Sequence, residues 1–286
     1  MPEDRKTVIV TDSSCDLNDE QLAQYGIRMI SLRVVCQNAE YRDRIDITED
    51  ELYELLTKEL PKTSLPLPED VTLLYEELAH EGVTDVIHMS ISTGLSGTYN
   101  MVRMITEDFK DRMNIHMVDS KTLSTGLGMM VLEAARKLEA GATPEEAIEA
   151  AMTVRKSQLG MFVIRTLEFL RKGGRIGLVE GMVGSLLQIK PIIFVNDEGV
   201  YQTLVKARGH KSAIDTMVNE AKRFFGDSKV TLSVVNAKAY DDAVALLERL
   251  KGEMNIEDNA FISSISPVLA IHTGPGLLGI VANKAE

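Results

Sequence analysis

A serine stands directly before a predicted helix in the segment Leu95-Ser96-Gly97-Thr98. The N-terminus of a helix carries free backbone N–H groups and a partial positive charge, so this segment could bind an anion. Ordinary N-capping by Ser96 explains the same pattern and, on spacing alone, is the more frequent case. The chain lacks a Gly-x-x-x-x-Gly-Lys-Ser/Thr sequence, which weakens phosphate as the anion.

Two other segments place polar groups in a restricted backbone. Lys62-Thr63-Ser64-Leu65-Pro66 is predicted to be a proline-stiffened loop with two hydroxyls, for which a local turn is the simpler explanation. His272-Thr273-Gly274-Pro275-Gly276 is predicted to be a loop between strands, where the imidazole could donate a hydrogen bond to an anion. A structural or solvated histidine is the more common case, and the histidines show no metal-ligand spacing.

A basic cluster, Arg171-Lys172-Gly173-Gly174-Arg175, closes a predicted helix in an acidic chain. Cations are favourable at the C-terminal end of a helix, which accounts for the cluster without any function. The functional interpretation is that Arg171 and Arg175 dock an acidic partner or a phosphate. The residues alone do not separate these two interpretations.

A serine hydrolase is the strongest alternative class, with Ser96 as nucleophile, His272 as base and an acid such as Asp12. Its weakness is local, because the segment from Gly94 to Thr98 lacks the second glycine of a Gly-x-Ser-x-Gly turn. A regulator that binds a nucleotide or a sugar phosphate through the serine-rich loops is a third alternative.

The composition limits the partners and the compartment. A formal net charge of −12 disfavours nucleic acid and anionic membrane surfaces as broad partners. Cys15 and Cys36 are too few for a disulfide framework or a thiolate metal site, and they fit a reducing compartment. Neither a signal-peptide core nor an apolar segment of membrane-spanning length is found, so we expect a cytoplasmic protein without stable membrane insertion.

The pattern of elements predicts an α/β protein. The length of 286 residues exceeds the usual size of one hydrophobic core, which favours two domains. Strands and helices alternate up to residue 160, which predicts a mainly parallel sheet in an α/β/α arrangement, with one continuous strand over 28–35. From residue 161 to 286 the pattern changes, which predicts a mixed-sheet α+β domain. Residues 129–132, 182–189 and 191–195 are apolar and adaptable, and suit either a core or a tunnel wall.

Taken together, the polar segments resemble the DegV family over essentially the whole chain. Each segment is weak alone, but six in this order are specific. One departure is Leu65-Pro66, where the family often has Gln-Pro. The matching segments are Asp12 to Leu17, Lys62 to Ser64, Leu95 to Tyr99, Asp119-Ser120 with its following loop, Leu170 to Ile176, and His272 to Gly276.

The resemblance implies a two-domain DegV-like fold that binds a long-chain fatty acid, such as palmitate, stearate or oleate, in a buried tunnel between the domains. Matched by motif, Thr63, Ser96 and His272 would hold the carboxylate, and Ser64 and Gly97 are second choices. No metal and no other cofactor is implied.

In the better-understood members of the family, the protein is the carrier subunit of bacterial fatty-acid kinase and supports phospholipid synthesis. The resemblance therefore implies a monomeric carrier without catalysis of its own, which presents the carboxylate to a separate ATP-dependent kinase that forms acyl phosphate. Arg175 and Arg171 would serve kinase docking or phosphotransfer.

Overall fold

The structure is a computed structural model that describes residues 6–182 and 189–285. The strands, numbered along the chain, are β1 Thr7–Asp12, β2 Arg28–Ile30, β3 Arg33–Val35, β4 Glu40–Arg42, β5 Lys62–Ser64, β6 Asp85–Ser90, β7 Asn114–Asp119, β8 Leu159–Val163, β9 Ile189–Val195, β10 Tyr201–Arg208, β11 Val230–Asn236, β12 Phe261–Ser264 and β13 Leu278–Lys284. The α-helices are α1 Asp19–Gln24, α2 Glu49–Leu55, α3 Pro68–His80, α4 Thr98–Thr106, α5 Thr125–Glu139, α6 Pro144–Ser157, α7 Glu168–Lys172, α8 His210–Phe225, α9 Tyr240–Glu253 and α10 Pro267–Thr273.

The strands form one parallel sheet and one mixed sheet, with a small antiparallel sheet beside them. The parallel sheet has the order β2-β1-β6-β7 and the mixed sheet the order β10-β9-β8-β13-β11-β12. The small sheet has the order β4-β3-β5. This architecture confirms the predicted fold class. The division into domains 1–160 and 161–286 stays a prediction.

Local sequence explains where several helices begin. Thr48 and Glu51 form a reciprocal capping box at the start of α2, and Thr143 does the same with Glu146 at α6. Pro144 occupies the first turn of α6, where its missing N–H costs nothing.

The largest apolar core is shared by both halves of the chain. It contains Ile87 from β6 and Leu127 from α5, together with Phe162 from β8 and Leu269 from α10. The core is therefore continuous between the parallel sheet and the mixed sheet, and the candidate site lies along it.

The predicted single strand over 28–35 is wrong. β2 belongs to the parallel sheet, whereas β3 belongs to the small antiparallel sheet. The break falls at Leu32, whose N–H donates to Ser13 Oγ at 3.1 Å and whose carbonyl accepts from Asp43 N at 2.9 Å. These bonds take the backbone groups of Leu32 out of the strand pairing in both sheets. An apolar strand pattern in the sequence does not reveal such bonds.

Two segments predicted to be loops are regular elements. Thr63 and Ser64 lie on β5, where Thr63 is paired with Val34 of β3. His272 lies in the last turn of α10, which starts with Pro267 at its first position. The N–H groups at the start of α10 bond to side chains far away in sequence, so local pattern did not reveal this helix.

Candidate functional site

Five predicted site residues line one pocket of about 190 Å³ between β5, the loop before α4 and helix α10. We call it the polar pocket. Leucine, isoleucine and valine side chains complete its wall. Its polar lining residues are Thr63, Ser64, Ser96, Arg175, Tyr201 and His272.

A hydrogen bond joins the two polar residues of this pocket that are furthest apart in the sequence. Oγ1 of Thr63 lies 2.9 Å from Nε2 of His272, across a separation of 209 residues. Burial, and then the nearby Arg175 charge, lower the pKa of His272 to about 4. The imidazole is therefore neutral at pH 7 and has one N–H to donate.

A glycine fixes the position of the His272 ring. Gly173 follows α7, and a Cβ atom added there would lie 2.1 Å from Nδ1 of His272. Only a residue without a side chain fits at that distance. Nδ1 has no hydrogen-bond partner within the described part of the chain, so packing rather than bonding holds this edge of the ring.

Ser96 lines the pocket and also touches the start of α4. Its Oγ lies 2.8 Å from Oγ1 of Thr98 and accepts from Thr98 N at 3.3 Å. The N-cap position itself is Gly97, which is exposed and does not line the pocket. The interpretation of Ser96 as the N-cap residue is therefore wrong by one position, and the Ser96 hydroxyl lies at the pocket wall beside the helix start.

The two arginines of the basic cluster lie in different surroundings. Arg175 lines the polar pocket, donates from Nη1 to the Gly173 carbonyl at 2.8 Å and donates from Nε to the Leu95 carbonyl at 3.4 Å. It thus ties the end of α7 to the loop that carries Ser96. Arg171 is exposed on α7 and does not line the pocket.

A second space of about 50 Å³, which we call the apolar cavity, adjoins the polar pocket. Leu123, Tyr201 and Leu269 line both spaces. The cavity wall is mostly aliphatic and aromatic, and the rings of Phe162 and Tyr201 pack edge to face with centroids 5.3 Å apart. Typical ligand pockets measure about 300–1,000 Å³, so both spaces are small by that standard. The structure therefore has a small cavity where we expected a buried tunnel.

The apolar segments of uncertain role divide between wall and core. Val195 lines the apolar cavity, whereas Met130 and Val131 of α5 are fully buried in the apolar core. Of the segment 182–189, residues 183–188 lie outside the described residues.

Sequence reasoning missed the residues that join the two spaces. Neither Tyr201 nor Leu123 is among the predicted site residues. Burial raises the pKa of the Tyr201 hydroxyl, which keeps it protonated and able to donate. No spacing rule connects Tyr201 with Thr63 or His272, so only the folded structure reveals the grouping.

The side chains of the hydrolase alternative are not connected as a catalytic triad. His272 Nε2 bonds to Thr63, and Ser96 Oγ bonds to Thr98. The Asp12 carboxylate accepts from Ile91 N at 2.8 Å and from Ser14. A triad needs a histidine bonded to both the nucleophile and the acid, and these contacts do not supply that arrangement.

Residues 6–182 and 189–285 contain neither a candidate metal site nor a candidate membrane-spanning helix. No group of three or more His, Cys, Asp or Glu side chains in this part of the chain is suited to hold a metal ion. None of its helices is both long and apolar enough to span a bilayer.

Comparison with known proteins identifies the family. The model of the DegV family matches residues 6–285. The chain belongs to the DegV family. A DegV domain-containing protein of Clostridium acetobutylicum is 38% identical over 279 residues, which cover 98% of this chain and 99% of that protein.

Solved structures of DegV proteins share the fold closely. A DegV family protein from Thermus thermophilus, described for its fatty acid binding, has a TM-score of 0.91 and 31% identity, and covers 98% of this chain and 100% of its own. A stearic acid-binding protein from Eubacterium ventriosum has a TM-score of 0.88 and 27% identity, with coverages of 96% and 97%. DegV family proteins are thus described as binding fatty acids.

Proposed function

We propose that this protein binds one long-chain fatty acid and presents its carboxylate to a separate ATP-dependent fatty-acid kinase. The observation that carries the proposal is the junction of a polar pocket, which holds Thr63, Ser96 and His272, with an apolar cavity behind it. Relatives that match the whole chain and are described as fatty acid-binding support it. The protein would act as a cytoplasmic monomer without a cofactor.

The polar pocket offers the groups that a carboxylate needs. A buried carboxylate loses hydration worth several kcal/mol unless hydrogen-bond donors replace the water. Thr63, Ser64 and Ser96 supply hydroxyls, and His272 supplies one N–H in its neutral form. Gly97 remains a second choice. In this proposal the head group sets orientation and selectivity.

The acyl tail supplies most of the affinity in this proposal. Burying apolar surface contributes roughly 0.8 kcal/mol per methylene, or about 12 kcal/mol for a palmitate-sized chain before ordering costs. The apolar cavity of about 50 Å³ is narrower than such a chain requires, so its wall must move when the tail enters. Met161, Phe162 and Leu277 line the cavity and are large side chains whose displacement would open it.

The kinase step places the remaining chemistry outside this protein. The kinase would transfer the γ-phosphoryl group of ATP to a carboxylate oxygen, which yields acyl phosphate and ADP. The protein itself would position the carboxylate and supply no catalytic residue. Arg175 on the pocket wall and the exposed Arg171 on α7 would meet the kinase or the transferred phosphoryl group.

A reconstituted assay tests both parts of the proposal. Delipidated protein is titrated with oleate and then supplied with ATP and a fatty-acid kinase, and acyl phosphate is measured. The proposal expects saturable oleate binding, and it expects Arg175→Ala to keep oleate but lose phosphorylation. Thr216→Ala is the control, because Thr216 is a half-buried residue of α8 that lines neither space and whose hydroxyl donates to the Ser212 carbonyl. Normal phosphorylation by Arg175→Ala would remove the role assigned to Arg175.

A further inference from the structure

Helix α10 begins against two buried carboxylates from the first part of the chain. Ser266 N donates to Asp16 Oδ1 at 2.9 Å, and Val268 N donates to Asp43 Oδ1 at 3.1 Å. Asp16 is 8% exposed and Asp43 is fully buried. Backbone N–H groups at a helix start have no partner inside the helix, so these two carboxylates satisfy donors that would otherwise be buried and unpaired.

Asp16 also bonds to Ser124, a residue that lines the apolar cavity. Its Oδ2 accepts from Ser124 Oγ at 2.5 Å, and Ser124 N donates to the Ser14 carbonyl at 2.7 Å. Ser124 is the N-cap residue of α5 and lines the apolar cavity, and its neighbour Leu123 lines both spaces. The Asp16 carboxylate therefore bonds to the starts of both α5 and α10.

α10 carries much of the candidate site although it is short. Val268 and His272 line the polar pocket, Leu269 lines both spaces and Thr273 lines the apolar cavity. The helix has seven residues, about 10 Å in length, so a shift at its start would reach His272. A helix of this length is not stable alone in water and depends on its contacts.

From these contacts we infer that Asp16 and Asp43 are positioning residues, which hold α10 so that His272 reaches Thr63 and Leu269 closes the junction of the two spaces. The inference assigns a role to the Asp12-Ser13-Ser14-Cys15-Asp16 segment, which the carboxylate-binding proposal left unused. The identity of the ligand rests on the proposed function. The position of α10 rests only on the hydrogen bonds that Asp16 and Asp43 make.

The geometry of the contacts, rather than charge, is what the inference requires. Asp16 has a φ of 52°, a left-handed conformation that Asp and Asn tolerate better than most residues. Burial raises the pKa of Asp16 to about 6 and that of Asp43 to about 7. A carboxyl oxygen can accept a hydrogen bond in either protonation state, so neither contact requires a fixed charge. An asparagine at position 16 can accept from Ser266 N and donate to Ser124 Oγ, which preserves both bonds.

Hydrogen exchange of the ligand-free protein tests the inference directly. Asp16→Gly removes the carboxylate and keeps the left-handed backbone, and Asp16→Asn keeps both bonds. We expect α10 amides to exchange at least about tenfold faster in Asp16→Gly and within about twofold of wild type in Asp16→Asn. Asp85→Asn is the matched control, because Asp85 is a buried aspartate at the start of β6 that bonds to Thr84 and Asn114.

Two further readouts separate positioning from general stability. In Asp16→Gly, the pKa of His272 measured by NMR should rise from about 4 towards the ordinary value of 6.5, because the ring gains water when α10 loosens. Oleate affinity should fall at least about tenfold in Asp16→Gly and be retained in Asp16→Asn. If wild-type protein binds no oleate, the proposed function fails, while the exchange and NMR results still decide the position of α10.

The wild-type protein supplies a test that needs no variant. The Val268 amide donates to Asp43 and not to a carbonyl of its own helix, whereas the Ala270 amide donates to the Ser266 carbonyl at 3.0 Å. If the Asp43 contact holds α10, the Val268 amide should exchange with solvent as slowly as the Ala270 amide. If Asp16→Gly does not fold, Asp43→Ala and this wild-type comparison decide the matter. Fast exchange at Val268, or unchanged α10 exchange in a folded Asp16→Gly or Asp43→Ala protein, would overturn the inference.

Discussion

The polar pocket and the apolar cavity share three wall residues but are built in opposite ways. The polar pocket, of about 190 Å³, is assembled by directional bonds such as Thr63 to His272. The apolar cavity, of about 50 Å³, is closed by side-chain packing such as Phe162 on Tyr201. In the proposed function, the polar pocket is organised before the carboxylate arrives, whereas the apolar cavity opens when the tail enters. Changes in the apolar cavity should therefore alter affinity for the acyl chain, and changes in the polar pocket should alter recognition of the head group.

The largest expected effect comes from filling the apolar cavity. Gly160 lines it, and a Cβ atom there would meet only Val281 Cγ2, at 3.9 Å. Gly160→Leu should lower oleate affinity by about a hundredfold, because excluding about four methylenes costs roughly 3 kcal/mol. Calorimetric titration measures the change. Gly160→Ala is the control and should bind oleate nearly as tightly as wild type. An equal loss of oleate affinity in both variants would show that the volume of the apolar cavity does not limit binding.

Displacing His272 should have the next largest effect. Gly173→Ala places a methyl group 2.1 Å from Nδ1 of His272, so the ring must leave its contact with Thr63. We expect oleate affinity to fall about tenfold or more, with a new His272 signal in NMR spectra. Gly252→Ala serves as control, because Gly252 lies in α9 and a methyl group there meets open space. An unshifted His272 signal would contradict the packing that we describe.

Removing head-group hydroxyls should have a smaller effect that depends on the head group. Thr63→Ala and Ser96→Ala should each lower oleate affinity about three- to tenfold, since one hydrogen bond contributes roughly 0.5–1.5 kcal/mol net. A fatty alcohol or methyl ester of the same chain length should discriminate less between wild type and variant. Thr63→Ser keeps the hydroxyl and should bind as wild type. Equal losses for the acid and the ester would remove these hydroxyls from carboxylate recognition.

The smallest effect is on stability as a function of pH. Burial raises the pKa of Asp43 from 3.8 to about 7 in the folded protein, so the folded state binds a proton that the unfolded state releases. Stability contributed by Asp43 should therefore rise as pH falls from 8 to 6, by about 1 kcal/mol, and Asp43→Asn should lack this rise. Urea unfolding at several pH values measures it. His272 acts in the opposite direction, because its lowered pKa costs stability below about pH 6.5.

Local rules were sufficient for most of the fold. The sequence carries capping residues, Thr48 and Thr143, where α2 and α6 begin, and the alternation of strands and helices predicted the parallel sheet. Local rules failed where long-range hydrogen bonds decide the backbone. Leu32 breaks the predicted strand because Ser13 and Asp43 take its backbone groups, and α10 was missed because Asp16 and Asp43 cap it from afar.

The candidate site shows the same limit. Motif order alone selected Thr63, Ser96 and His272, which do line one pocket. Tyr201 and Leu123 join the two spaces without any motif, because their role arises from packing between the two halves of the chain. The narrow width of the apolar cavity is likewise a property of side-chain packing that composition and periodicity do not encode.

The most direct test of the account is native mass spectrometry of the protein as purified from cells, followed by identification of any released compound. The account predicts one long-chain fatty acid per chain in wild type and in Gly160→Ala, and little or none in Gly160→Leu. A bound phosphate compound in place of lipid, or a fatty acid retained equally by all three proteins, would contradict it.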